Sequence, residues 1–153
     1  MDKVGESDTL WLLREPTAEE VIEEFKKWDV DSFDEIVFCG FGEPTEAFDV
    51  LKKVAEFIKS KIVLLDKSKS LLSISIIKFN LIKRHIAPEL EGLIDTVSIS
   101  LNNPDPEEYA KLVRSKYGEK SFQEMIDFAK ECKKYVPNVV MSTVDTTISH
   151  EEE

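Results

Sequence analysis

The chain has 153 residues, enough for one domain with a real core and short for two. Lysine and arginine total 20 against 31 aspartates and glutamates, a formal charge of −11, which argues against a broad nucleic-acid-binding surface. Cys39 and Cys132 are the only cysteines. They are too few for a disulfide framework or an all-cysteine zinc site, and they cannot hold an iron–sulfur cluster unaided.

Met1 to Glu6 carry no apolar run of the kind that marks a secretory signal. The longest apolar stretch, Leu71 to Ile82, is broken by Lys78 and Asn80 and is shorter than the ~18–20 residues that cross a bilayer. The expectation is a cytoplasmic protein that does not enter a membrane.

Residues 8–13 are a weak strand candidate. The spacing predicts a helix from Thr17 to Trp28, with Thr17 and Glu20 as a capping box and Val21, Ile22, Phe25 and Trp28 on one apolar face. Glu35 to Cys39 reads as a buried strand that runs into the loop Gly40-Phe41-Gly42-Glu43-Pro44. Thr45 is expected to cap a second helix, with Phe48, Leu51, Val54, Phe57 and Ile58 as its inner stripe. Ile62 to Leu65 then reads as the next strand.

Residues 66–80 use only Asp, Lys, Ser, Leu, Ile, Phe and Asn, without glycine or proline turn chemistry. Lys59 to His85 hold seven Lys/Arg against one acid, in a chain that is otherwise acidic. Leu71 to Ile77 is uncharged and strand-prone, which marks it as a self-association window. Segment 66–83 therefore stands apart as atypical and of low complexity within a single partial domain, 1–153.

Thr96 to Leu101 is a strand. Asp105-Pro106 opens a helix that Gly118 is expected to end. Ser121 and Glu124 read as a second capping box, and Phe122, Met125, Ile126, Ala129 and Cys132 face inward from the helix that follows. Asn138 to Val144 is another strand. Strands alternating with helices imply an α/β fold with a mostly parallel sheet. Ser149 and Glu152 announce a helix that the chain does not continue, so the sheet reads as cut at both ends, with open edges that invite association.

In parallel α/β sheets ligands bind beyond the carboxyl ends of the strands. The 40–44 loop lies at such an end. Its glycines allow close approach to the backbone, and Glu43 can attract a cationic amine. The same loop also reads as a tight strand-to-helix turn. It lacks the spacing and lysine of a phosphate-binding loop. Ser98, Ser100 and Asn102 alternate with Val97, Ile99 and Leu101, which puts the polar set on one face, toward either water or the inside of a barrel. His85 and His150 read as surface histidines, and Cys39 and Cys132 as packed cysteines.

Three stretches carry a family resemblance: Glu15-Pro16-Thr17-Ala18-Glu19-Glu20-Val21; Phe38-Cys39-Gly40-Phe41-Gly42-Glu43-Pro44-Thr45; and Ile86-Ala87-Pro88-Glu89-Leu90 through Ser98-Ile99-Ser100-Leu101-Asn102. Together they resemble the radical S-adenosylmethionine (SAM) enzymes, most closely the TatD-associated branch. The resemblance implies an incomplete TIM-like (β/α) partial barrel with parallel strands. It also implies SAM as cofactor, cleaved to a 5′-deoxyadenosyl radical by a [4Fe–4S] cluster held in a C-x-x-x-C-x-x-C loop.

By the resemblance, Gly42, Glu43 and Gly40 would contact the methionine amino group, and Ser100 and Asn102 the nucleoside or carboxylate. Phe41 stands where many members have glycine. The C-x-x-x-C-x-x-C loop is absent from this sequence, and 66–83 lacks the family's asparagine–glycine turn, as if out of frame or degenerate. The chain thus resembles an internal fragment of the family, with a partial SAM site and no cluster of its own. The partner it implies is a polypeptide supplying the missing barrel segments; self-association is a separate expectation, from the open strand edges.

Overall fold

The computed structural model describes residues 12–29, 33–39, 43–64, 71–76, 85–114, 118 and 120–143. Helix α1 (Ala18–Phe25) opens on the Thr17–Glu20 capping box expected from the sequence. The Thr17 side chain accepts from Glu20 N–H, and Glu20 accepts from Thr17 N–H, so two backbone donors that no helical bond could reach are satisfied. Strand β1 (Glu35–Phe38) follows. A 3₁₀ turn, Pro44–Ala47, leads into helix α2 (Phe48–Leu64).

Strand β2 is Leu71–Ile76 and strand β3 is Thr96–Asn102, with a 3₁₀ turn at Ala87–Leu90 before β3. Helix α3 (Pro106–Val113) starts as expected, with Asp105 accepting from the N–H groups of Glu107 and Glu108 and Pro106 in the first turn. Helix α4 (Lys120–Cys132) and strand β4 (Asn138–Thr143) complete the order.

The four strands form one sheet in the order β1-β2-β3-β4, and every pairing is parallel. This is the expected α/β architecture, consistent with an incomplete TIM-like (β/α) partial barrel. Leu72, Ile74, Ile76, Val97 and Ile99 fill one side of the sheet. They form a single core with Phe48, Leu51, Val54 and Ile58 of α2 and Met125, Phe128, Ala129 and Cys132 of α4. Phe25 of α1 meets Phe57 of α2 edge to face at 6.3 Å, which holds α1 against α2.

Several expectations are corrected. The strand expected at 62–65 does not form over 62–64, where Ile62, Val63 and Leu64 continue α2, and Leu65 lies outside the described residues. A short apolar run cannot by itself be told from the end of a buried helix. The next strand lies inside the atypical segment instead. Leu71–Ile76 is an inner strand, paired to β1 and β3, with Ile74 and Ile76 buried, so it is not the exposed association window expected.

The second helix begins later than expected. Thr45 is buried within the 3₁₀ turn and does not cap α2. Helix α3 stops at Val113, where Arg114 takes a left-handed φ of 49°, well before Gly118. Ser121 lies inside α4, and its buried hydroxyl donates to the Gly118 carbonyl at 2.6 Å. Cys39 is exposed where a packed cysteine was expected, because β1 alternates between half-buried and exposed positions as edge strands do. Residues 8–11 and the pattern at 149–152 lie outside the described residues.

A polar knot closes the amino end of the sheet. The Asp95 carboxylate accepts from Lys59 Nζ at 2.7 and 2.6 Å and from Leu72 N–H at 2.7 Å. Asp95 N–H donates to the Leu72 carbonyl at 2.8 Å, and the Asp95 carbonyl accepts from Asn138 N–H at 3.1 Å. One residue therefore ties α2, β2 and β4 to the start of β3. With the amino ends pinned, the carboxyl ends of all four strands emerge together on the opposite rim.

Candidate functional site

Parallel pairing places the ends of β1, β3 and β4 on one rim, and Glu43, Ser100 and Asn102 fall there. Glu43 follows the end of β1 and immediately precedes the turn Pro44–Ala47 that opens α2. Pro44 holds the first turn rigid. The Glu43 side chain is half-buried, and its Oε2 is shut off from solvent. Gly40 and Gly42 lie outside the described residues.

A cavity of about 390 Å³ opens beside Glu43. Val37, Phe38 and Cys39 at the end of β1 form one wall, Val50, Leu51 and Val54 of α2 another, and Leu12, Glu15 and Pro16 of the segment before α1 a third. Apolar walls with a few carboxylates suit a ligand that carries a cation on an apolar or aromatic body. Cys39 brings an exposed thiol to the same cavity.

The side of the sheet away from the helical core carries rows of hydroxyl and amide groups. Ser73 pairs in register with Thr96, and Thr96 with Asn138; the next row is Ser75, Ser98 and Val140; nearest the rim Ser100 pairs with Ser142. Ser73 is buried and donates to Glu35 of β1. The remaining serines of these rows are half-buried or exposed. In a barrel this is the inner side, as one of the two sequence readings had it.

The alternation breaks at the rim. A bulge between Ser100 and Asn102 puts Asn102 in register with Thr143, one step off the Ser98–Ser100 row. Asn102 has a φ of 60°, and Asn103 N–H donates to the Leu101 carbonyl at 2.7 Å, so the chain makes a tight three-residue turn centred on Asn102. Asparagine tolerates this left-handed geometry better than most residues. Asn103 Oδ1 then accepts from Asp105 N–H at 2.8 Å and steers the chain into α3. Ser100 and Asn102 thus both reach the rim, by different routes, and Glu43 reaches it from β1.

The cysteines do not converge. Cys132 is fully buried in α4, and burial, with a smaller contribution from the Glu131 charge, pushes its thiol up to about 12. It stays protonated and does not act as a thiolate ligand. Cys39 alone is accessible. Among the described residues no three His, Cys, Asp or Glu side chains are grouped to hold a metal ion. A cluster that leaves one iron open for SAM needs three thiolates, and the donors in this chain do not fit it. His85 is exposed, with Glu131 Oε1 at 3.4 Å from its Nδ1, as a surface histidine should be.

Asp95 and Lys59 were not singled out from sequence. Their only signals are an acid directly before a strand and a lysine on the far side of an amphipathic helix, and both patterns are common on surfaces. Among the described residues no helix is long and apolar enough to cross a membrane.

The sequence model of the radical SAM superfamily matches residues 5–153. No curated protein and no solved structure gave a match. The family match spans nearly the whole chain, and it agrees with the parallel four-stranded sheet and its interleaved helices. The chain belongs to the radical SAM superfamily.

Proposed function

We propose that this chain is a SAM-binding partial barrel of the TatD-associated branch, able to hold the cofactor weakly at its carboxyl-end rim and unable to run radical chemistry by itself. The observation that carries the reading is the position of Glu43, at the end of β1 and on the wall of the 390 Å³ cavity. A carboxylate there suits the ammonium group of a methionine moiety through a charge-assisted hydrogen bond. Ser100 and Asn102 offer hydroxyl and amide groups from β3 toward the nucleoside or carboxylate. Gly40 and Gly42 belong to the same loop and would let the ligand approach the backbone.

When bound in this family, SAM supplies the radical precursor, and the protein's share is to orient and shield it. This chain's residues support the orienting part: a carboxylate for the amine, hydroxyls for the polar face, and apolar walls that exclude water. The cluster that would reduce SAM has no ligand set here. Thiolates from outside residues 1–153 would be needed.

Titration calorimetry with SAM tests the reading. Binding on the order of millimolar is expected, since contacts to a cluster are missing, at a cost of several kcal/mol relative to a micromolar site. Glu43→Ala should weaken it about tenfold, in line with the loss of one charge-assisted hydrogen bond. Equal affinity for the two proteins removes Glu43 from the site, and no heat with either removes the site itself.

A further inference from the structure

Among the described residues that line the 390 Å³ cavity, two are carboxylates, Glu15 and Glu43, and none is lysine, arginine or histidine. The two acids come from different walls. Glu43 follows β1, and Glu15 belongs to the segment that leads into α1. The remaining walls are mostly apolar, so a bound charge there is only partly hydrated and feels both carboxylates.

The cation nearest to Glu15 along the chain is already committed. The Arg14 guanidinium forks onto Glu20 of α1, with Nη1 donating to Oε2 at 2.9 Å and Nη2 to Oε1 at 2.5 Å. This is the bidentate geometry that makes arginine–carboxylate pairs specific. Arg14 Nη1 also donates to the Glu15 carbonyl at 3.1 Å, so Arg14 holds the Glu15 backbone and leaves its carboxylate to the cavity. The clasp ties this wall to the first turn of α1, and Pro16 stiffens the join. Glu15 is exposed, and among the described residues no cation pairs with its carboxylate.

We propose that Glu15 is a specificity-determining carboxylate: held by the Arg14–Glu20 clasp, it makes the cavity favour ligands that carry a fixed positive charge on an apolar body, which in SAM is the sulfonium. Glu43 serves the ammonium group, which SAM shares with S-adenosylhomocysteine; Glu15 serves the charge that only SAM has. The identity of the ligand rests on the SAM reading above, whereas the preference for cations rests on the cavity alone.

Two measurements test it separately. The first uses the exposed Cys39 thiol, which lines the same cavity, as a reporter. A trimethylammonium-bearing and a sulfonate-bearing methanethiosulfonate each form a mixed disulfide there and release methanesulfinate. Relative to free cysteine, the cationic reagent should be favoured about tenfold, falling to about threefold in Glu15→Gln, because each carboxylate acts through water and in opposite senses on the two reagents. Glu20→Gln keeps an acceptor for Thr17 N–H but frees Arg14 to turn onto Glu15, so it should lower the preference as Glu15→Gln does.

The second measurement compares SAM with S-adenosylhomocysteine by ligand-detected NMR. SAM should bind about fivefold more tightly, a modest factor because Glu15 is exposed. Glu15→Gln should weaken SAM alone and bring the ratio toward one, whereas Glu43→Ala should weaken both ligands alike. A reagent preference equal to that of free cysteine, or unmoved by Glu15→Gln, overturns the proposal. So does a SAM preference that survives Glu15→Gln. If neither nucleoside binds but the reagent preference is present and falls in Glu15→Gln, the SAM reading fails and the cation selectivity of Glu15 stands.

Discussion

Replacing Asp95 with alanine removes three hydrogen bonds at once, and the structure says which of them matters most. Two come from Lys59 Nζ and one from the Leu72 N–H. Leu72 is 0% exposed, so its N–H, left without an acceptor, costs about 1–3 kcal/mol. The Lys59–Asp95 pair is partly screened, with side chains 21% and 24% exposed, and contributes about 0.5–1 kcal/mol. The sum is about 1.5–4 kcal/mol. For a chain of this length each kcal/mol moves the midpoint by roughly 2–4 °C, so Tm should fall by about 3–16 °C.

Lys59→Met keeps the bond to Leu72 and loses only the ion pair, so it should cost about 0.5–1 kcal/mol. Thermal and urea unfolding followed by circular dichroism measure both, with the urea slope unchanged if only stability moves. If Lys59→Met destabilises as much as Asp95→Ala, the ion pair and not the Leu72 hydrogen bond holds the amino end of the sheet, and the reasoning fails.

Two further outcomes follow from the chemistry of single groups. In the native protein a thiol reagent such as dithiobis(nitrobenzoate) should titrate Cys39 and leave Cys132, whose thiol is buried and pushed up to about 12, with the second thiol released only in denaturant; two fast thiols in the native protein would contradict the buried placement. The Glu20 carboxylate is held down to about 2 by hydrogen bonds from Arg14 and the Thr17 N–H. Because its folded value lies below its ordinary 4.5, its contribution to folding is complete above pH 4.5 and is lost as pH falls toward 2. Carboxyl-carbon NMR should find Glu20 titrating near 2 and rising toward 4.5 in Arg14→Ala; an unchanged value in that variant would refute the Arg14 contact.

Where a residue acts locally, the sequence was readable. Thr17 and Glu20 form the expected capping box, Asp105 and Pro106 start α3, and the inner stripe of α2 is buried at Phe48, Leu51, Val54 and Ile58. Each of these depends on neighbours within one or two turns. The errors arise where partners lie far along the chain. Ile62 to Leu64 have the composition of a strand but continue α2.

Leu72, Ile74 and Ile76 alternate with polar Ser73 and Ser75, a period-2 signal that identifies a strand. The strand-prone reading of Leu71 to Ile77 rests on that signal; its place between β1 and β3, with Ile74 and Ile76 buried, comes from pairing with distant strands that local periodicity does not carry. The exposure of Cys39 goes with β1 being the outer strand among the described residues, and strand order is not written in local periodicity. The bulge at Leu101, which moves Asn102 out of the Ser98–Ser100 row, likewise comes from cross-strand register with β4.

The central claim is that this radical SAM superfamily chain carries a SAM-binding rim without the means to hold the cluster. Anaerobic reconstitution with iron and sulfide, followed by desalting and assay of both elements beside the visible spectrum, tests it most directly. The account predicts background iron and sulfide and no broad absorbance in the visible blue, since Cys132 is buried and Cys39 stands alone at the rim. About four irons and four sulfides per chain, with that absorbance, would contradict it.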